Sequence, residues 1–118
     1  MTHLFRIFLV ASLLGLCSCS MAVEIKISNM SYEKITQVEV RAGHVMAVTS
    51  QVDVGFEKRV KLTPTGDSGL ELTFHTESGV VKACTVDVYL TKGLRGRIDV
   101  AIKEDFSCEL REVNTKIR

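Results

Sequence analysis

The sequence predicts an all-β domain: an antiparallel sandwich of seven to eight strands carrying one disulfide. Three observations lead there. Apolar and polar residues alternate in run after run, the period of a half-buried strand. Gly, Asn, Asp and Ser clusters punctuate those runs at spacings of roughly 8–12 residues. No stretch beyond the N-terminus holds a helical period, and parallel sheets usually need crossover helices.

The first 22 residues stand apart from that pattern. Arg6 precedes an apolar run, Ile7 to Leu16, and small residues follow at Ser18, Ser20 and Ala22. This is the order of a secretory signal, and the apolar run is short for a membrane span. A cut after Ala22 puts small residues at both recognition positions and leaves residues 23–118 as one domain, with no transmembrane span in the mature chain. A second possibility is Leu16-Cys17-Ser18-Cys19, which resembles a bacterial lipobox and would leave Cys19 as a lipid-anchored N-terminus.

Taken in order, Val23, Ile25 and Ile27 alternate with Glu24, Lys26 and Ser28 as a first strand. Asn29-Met30-Ser31 breaks it; the triplet spells a glycosylation sequon, read here as chance. Lys34 to Ala42 follows with Val38 and Val40 inward, and Ala42-Gly43-His44 turns the chain. Val45 to Val54 has mixed parity. Met46, Val48, Val52 and Val54 share one face and Val45 and Ala47 the other, as expected of a central strand or of a bulge near Thr49-Ser50-Gln51. Glu57 to Leu62 is short, with Val60 and Leu62 inward. Thr63 to Gly69, which contains Pro64, is the longest loop. Leu70, Leu72 and Phe74 alternate with Glu71, Thr73 and His75, and Glu77-Ser78-Gly79 is a tight turn.

The stretch Val80 to Leu110 holds the last strands. Val86, Val88 and Leu90 mark one, Ile98, Val100 and Ile102 the next, and Phe106, Cys108 and Leu110 the third. Cys84 and Cys108 lie on the apolar parity of their runs, so a buried disulfide in the core is expected. Two cysteines left in an exported domain usually pair. Segments such as Val23-Glu-Ile-Lys-Ile-Ser-Asn29 and Cys84-Thr-Val-Asp-Val-Tyr89 resemble those of small exported bacterial proteins with an immunoglobulin-like β-sandwich. The resemblance implies that architecture here. Trp is absent, so the tryptophan that packs on the disulfide of antibody domains is missing.

Charge excludes several partners. Without Arg6, basic and acidic residues balance, and there is no basic arm, acidic tail or repeat. No global field draws nucleic acid or an anionic membrane. Gly66-Asp67-Ser68-Gly69 resembles the nucleophile segment of trypsin-like proteases, but the chain is too short for that fold. A serine nucleophile also needs a base held by a third group, and no motif supplies one. His44 and Met46 are a weak metal alternative, since imidazole and thioether suit copper. Otherwise neither metal nor cofactor is expected. Glu104, Asp105, Glu109 and Glu112 form an acidic group with nothing to set a carboxylate separation.

The stronger candidate is a contact surface. Tyr89, Lys92, Arg95 and Arg97 fall together in what reads as a hairpin, and Tyr and Arg are enriched at interface hot spots. The expected protein is a non-enzymatic, exported, periplasmic or secreted binding module whose partner is another envelope or secreted protein. An inhibitor or immunity protein against an envelope enzyme or toxin fits that size. A copper carrier or an accessory subunit of an envelope complex is the alternative.

Overall fold

The structure is a computed structural model that describes residues 22–117. The signal segment, its cut sites and the lipobox cysteines therefore lie outside the described residues, apart from Ala22. Eight strands follow one another: β1 Val23–Asn29, β2 Ile35–Ala42, β3 Val45–Val52, β4 Glu57–Leu62, β5 Ser68–Thr76, β6 Val81–Leu90, β7 Leu94–Ile102 and β8 Cys108–Ile117. They form two four-stranded sheets, ordered β4-β1-β7-β8 and β3-β2-β5-β6. The core lies between them. Ile25, Ile27, Ile98 and Ile102 from the first sheet join Ile35, Val40, Leu72 and Phe74 from the second in one cluster. Each such buried side chain stabilises the fold by roughly 1.5–3 kcal/mol.

One pairing departs from the antiparallel expectation. β1 runs parallel to β7, with Ile25 opposite Ile98 and Ile27 opposite Val100. A parallel pair needs a long crossover, which is usually a helix. Here the intervening chain is itself sheet: it leaves for β2 and β3, returns as β4, and leaves again for β5 and β6. The other sheet does the work of a crossover helix. Every other strand pairing among the described residues is antiparallel.

The mixed parity of β3 has its cause one strand away. β3 is an edge strand, not a central one. Along β2, the register against β5 shifts between Thr36 and Glu39, so Gln37 and Val38 together face Phe74. Gln37 takes up the extra residue with a left-handed φ of 48°, a bulge that moves the inward set from Ile35 to Val38 and Val40. The register between β2 and β3 is unbroken across this point, so β3 switches faces too. Val52 is buried opposite Ile35, and Val45 and Ala47 are half-buried opposite Ala42 and Val40. Met46, Val48 and Val54, which sequence parity put on one face with Val52, are exposed.

The disulfide joins Cys84 of β6 to Cys108 of β8, with Cα atoms 5.5 Å apart. Both strands are sheet edges. The bridge therefore closes one open side of the sandwich, and its cysteines are half-buried against the core rather than within it. Phe106 adjoins it. Sequence alternation placed Phe106 in a strand, but it belongs to the turn before β8 and has φ 64°. From there its ring meets Phe74 at 6.1 Å, with the Lys82 ammonium 5.8 Å from its centroid.

Candidate functional site

Four connections gather at one end of the sandwich: residues 30–34, 53–56, 77–80 and 103–107. Asn29, at the end of β1, holds two of them. It is fully buried. Its Nδ2 donates to the Val52 carbonyl at 2.9 Å and to the Glu33 carbonyl at 2.8 Å. Its Oδ1 accepts from the Ser31 N–H at 3.0 Å and the Ser31 hydroxyl at 2.6 Å. An Asx side chain that binds the backbone two residues on is a turn device, so what reads as a sequon is a structural clamp. The Asn29 amide is buried and in use, which leaves no access for glycan attachment in the folded protein.

The first connection reaches each of the other three. Backbone bonds tie Asn29 to Gly55 and Phe56, and Met30 N–H donates to Ile102 at 2.8 Å. The Ser78 N–H donates to the Glu33 carboxylate at 2.9 Å. The Tyr32 hydroxyl donates to the Glu104 carboxylate at 2.7 Å. That bond, and the charge of Glu104 beside it, raise the Tyr32 pKa above its ordinary value. Within the fourth connection, Asp105 accepts from both the N–H and hydroxyl of Ser107. These bonds lower the Asp105 pKa.

On this braced end sit side chains that a core would ordinarily take. Tyr32 is 73% exposed, Phe56 67%, Met30 51%, and Val54 and Val80 nearly half. Met30, Lys103, Glu104 and Asp105 line a recess of about 500 Å³. The four connections carry Glu33, Asp53, Glu77, Glu104 and Asp105 against Lys34 and Lys103, so the apolar surface has an acidic rim. Aromatic residues and Met are enriched at the buried centres of protein interfaces. Sequence reading missed this site. The signal available was the presence of Met30, Tyr32 and Phe56 inside turn segments, where no strand period explains them.

The residues expected to form one contact patch are divided. β6 and β7 belong to different sheets, so Tyr89 and Arg97 are not on a hairpin. Tyr89 is exposed on β6, and Lys92 is exposed in the turn between the sheets. Arg95 and Arg97 lie on β7, beside each other on the outer face of the first sheet, with Arg95 half-buried. His44 is exposed in the β2–β3 turn, and the Met46 thioether accepts from Arg41 at 3.6 Å. Among the described residues no three His, Cys, Asp or Glu side chains converge as metal ligands. Asp67 of the protease-like segment accepts from the Thr91 hydroxyl, and Ser68 begins β5. His75 is half-buried on that strand. Of the acidic group, Glu104 and Asp105 belong to the loop end, while Glu109 pairs with Arg111 at 2.9 Å.

No family model matches the chain, and no curated protein matches it. Among solved structures, it is similar to the NMR structure of a protein from Eubacterium rectale, with a TM-score of 0.51 and 14% identity. The match covers 83% of this chain and 94% of the other. At that identity the likeness concerns the fold alone. Among the described residues no helix is long and apolar enough to cross a membrane.

Proposed function

We propose that the chain is an exported binding module that engages another envelope or secreted protein through its loop end. The observation that carries the reading is the set of exposed Tyr32, Phe56, Met30 and Val54 side chains on loops hydrogen-bonded to one another. Exposed aromatics on a mobile loop would lose much of their contact energy to ordering. Held in place beforehand, they keep it. The acidic rim suits a partner that presents an apolar pocket bordered by Lys or Arg. An inhibitor or immunity protein against an envelope enzyme or toxin fits the size of the domain. The export reading rests on Arg6 and the apolar run that follows, and makes the location periplasmic or extracellular.

We read the sandwich as immunoglobulin-like, a reading supported by its two packed sheets with connections collected at both ends. Its strand order is its own. Constant-type immunoglobulin domains place their first, second, fourth and fifth strands in one sheet, whereas β1 and β4 here share a sheet with β7 and β8.

The test is capture of a partner from envelope extract by three forms of the protein. The wild type and an Arg95→Glu/Arg97→Glu variant are expected to retain the same partner. A Tyr32→Ala/Phe56→Ala variant is expected to lose it while remaining folded. The reverse outcome would move the contact to the arginines and end the loop-end reading.

A further inference from the structure

A second surface lies on the outer face of the β4-β1-β7-β8 sheet, at the opposite end from the braced loops. Over most of that face, cations and carboxylates neutralise one another. Lys26 lies 3.4 Å from Asp99 and 3.5 Å from Glu57, and Arg59 lies 3.2 Å from Glu24. The pattern changes where β1 begins. There Lys61, Arg95 and Lys116 line a groove of about 540 Å³ together with Ala22, Glu24, Gly96 and Asn114. Among the described residues, none of the three cations has a carboxylate within ion-pair distance. Glu24, the one acid in the groove, is drawn to Arg59.

Arg95 adds an independent observation. Its Nε is buried and finds no hydrogen-bond acceptor among the described residues. A buried donor without a partner is costly, and a native structure seldom leaves one without a reason. The backbone beside it is equally specific. Gly96 adopts φ 127° and packs so closely on β8 that a Cβ there would overlap the Asn114 carbonyl. Only glycine permits this approach, and it brings Arg95 on β7 beside Lys116 on β8. β1 starts at Val23, opposite Gly96, so among the described residues before β1 only Ala22 comes to the level of Arg95. A cut after Ala22 would replace that alanine with the α-ammonium of Val23, a further positive charge.

We propose that this groove binds an anion of the phosphate class, with the Arg95 guanidinium as the directional donor and Lys61 and Lys116 as flanking charges. Guanidinium groups match such oxyanions geometrically, and the volume lies within the range of small-ligand pockets. The anion is either free in solution or the headgroup of a phospholipid.

The test uses the protein purified after export, with arginine Nε–H resonances followed by NMR at constant ionic strength. Titration with inorganic phosphate is expected to shift the Arg95 Nε–H saturably, whereas chloride does not. Arg95→Gln is expected to weaken binding by about tenfold or more. Lys61→Gln/Lys116→Gln is expected to weaken it too, and it serves as the second variant should Arg95→Gln fail to fold. Vesicles of phosphatidylcholine with and without phosphatidylglycerol separate the two sources. Arg95-dependent binding confined to phosphatidylglycerol vesicles assigns the headgroup, and saturable binding of phosphate alone assigns the free anion. A response that is non-saturable, equal in chloride, or unchanged by both variants overturns the proposal.

Discussion

At the loop end, side chains are spent on one another before any partner arrives: Asn29 on two carbonyls, Glu33 on Ser78, Tyr32 on Glu104. What remains exposed there is apolar surface inside an acidic rim. At the other end the Thr91–Asp67 bond ties two connections, while Lys61, Arg95 and Lys116 stand without ion partners among the described residues. The difference teaches how a small sandwich of balanced charge can carry two unlike surfaces. Bracing polar groups at one end frees aromatic area for contact, and withholding carboxylates at the other frees cationic charge.

The largest expected effect is common to both ends. Replacing Cys84 and Cys108 by Ala removes the link between the β6 and β8 edges and should lower unfolding stability by roughly 3 kcal/mol, since the bridge closes a loop of moderate length. Urea denaturation under oxidising conditions measures it. The loss is expected throughout the domain, because the bridge joins the two sheets; Cys108 follows directly on the 103–107 connection.

Asn29→Ala should separate the ends. It strips the carbonyls of Glu33 and Val52 of a buried donor, a cost of about 2–3 kcal/mol. Amide exchange should accelerate at residues 30–34 and 53–56 and change little around Arg95 and Lys116. Uniform acceleration over the whole chain would mean that the loop end is not a separately braced unit.

Smaller still is the effect of Tyr32→Ala with Phe56→Ala. Both side chains are exposed, so stability should move by no more than about 0.5 kcal/mol per site. Partner capture, however, should fail. That divergence between stability and binding is what distinguishes a contact surface from a packing residue.

The smallest effect is pH-dependent and local. The two Ser107 hydrogen bonds hold the Asp105 pKa below its unfolded value, so the folded state binds the proton less readily. Their contribution is complete above the ordinary aspartate pKa and is lost as pH falls through the depressed folded value. For Tyr32 the sign is opposite. Its raised pKa means that the bond to Glu104 is present below pH 10.0, the ordinary tyrosine value, and is lost as pH rises through the folded value. Asp105→Asn should remove the acid-side step in the Ser107 amide shift, and Glu104→Gln should return the Tyr32 phenol towards its ordinary titration.

Much of the fold was legible because strands with one buried face write their parity into the chain. β1 alternates cleanly, and the bounds of β4 were read from Glu57 to Leu62 as they stand. Where the reading failed, the cause was non-local. The odd parity of β3 was visible, but its origin at Gln37 depends on how β2 pairs with β5, a contact that no local window contains. Tyr89 and Arg95 are near in sequence and belong to different sheets, because the short connection between them crosses the sandwich rather than folding back. The disulfide partners were readable from their number in residues 23–118 and from the parity of their runs. Their place at the edge depended on strand order. The candidate site was the least legible part, since turns have no period. Nothing local tells an exposed Phe56 from a buried one until the Asn29 clamp and its carbonyl partners are in view.

The central claim is that the loop end, and not the Tyr89 face, meets the partner. Benzoylphenylalanine incorporated at position 56 or, separately, at position 89 tests it in the producing cells under ultraviolet light. Both sites are aromatics of nearly equal exposure. A single partner adduct from position 56 and none from position 89 is the predicted result. An adduct from position 89 alone would contradict the claim.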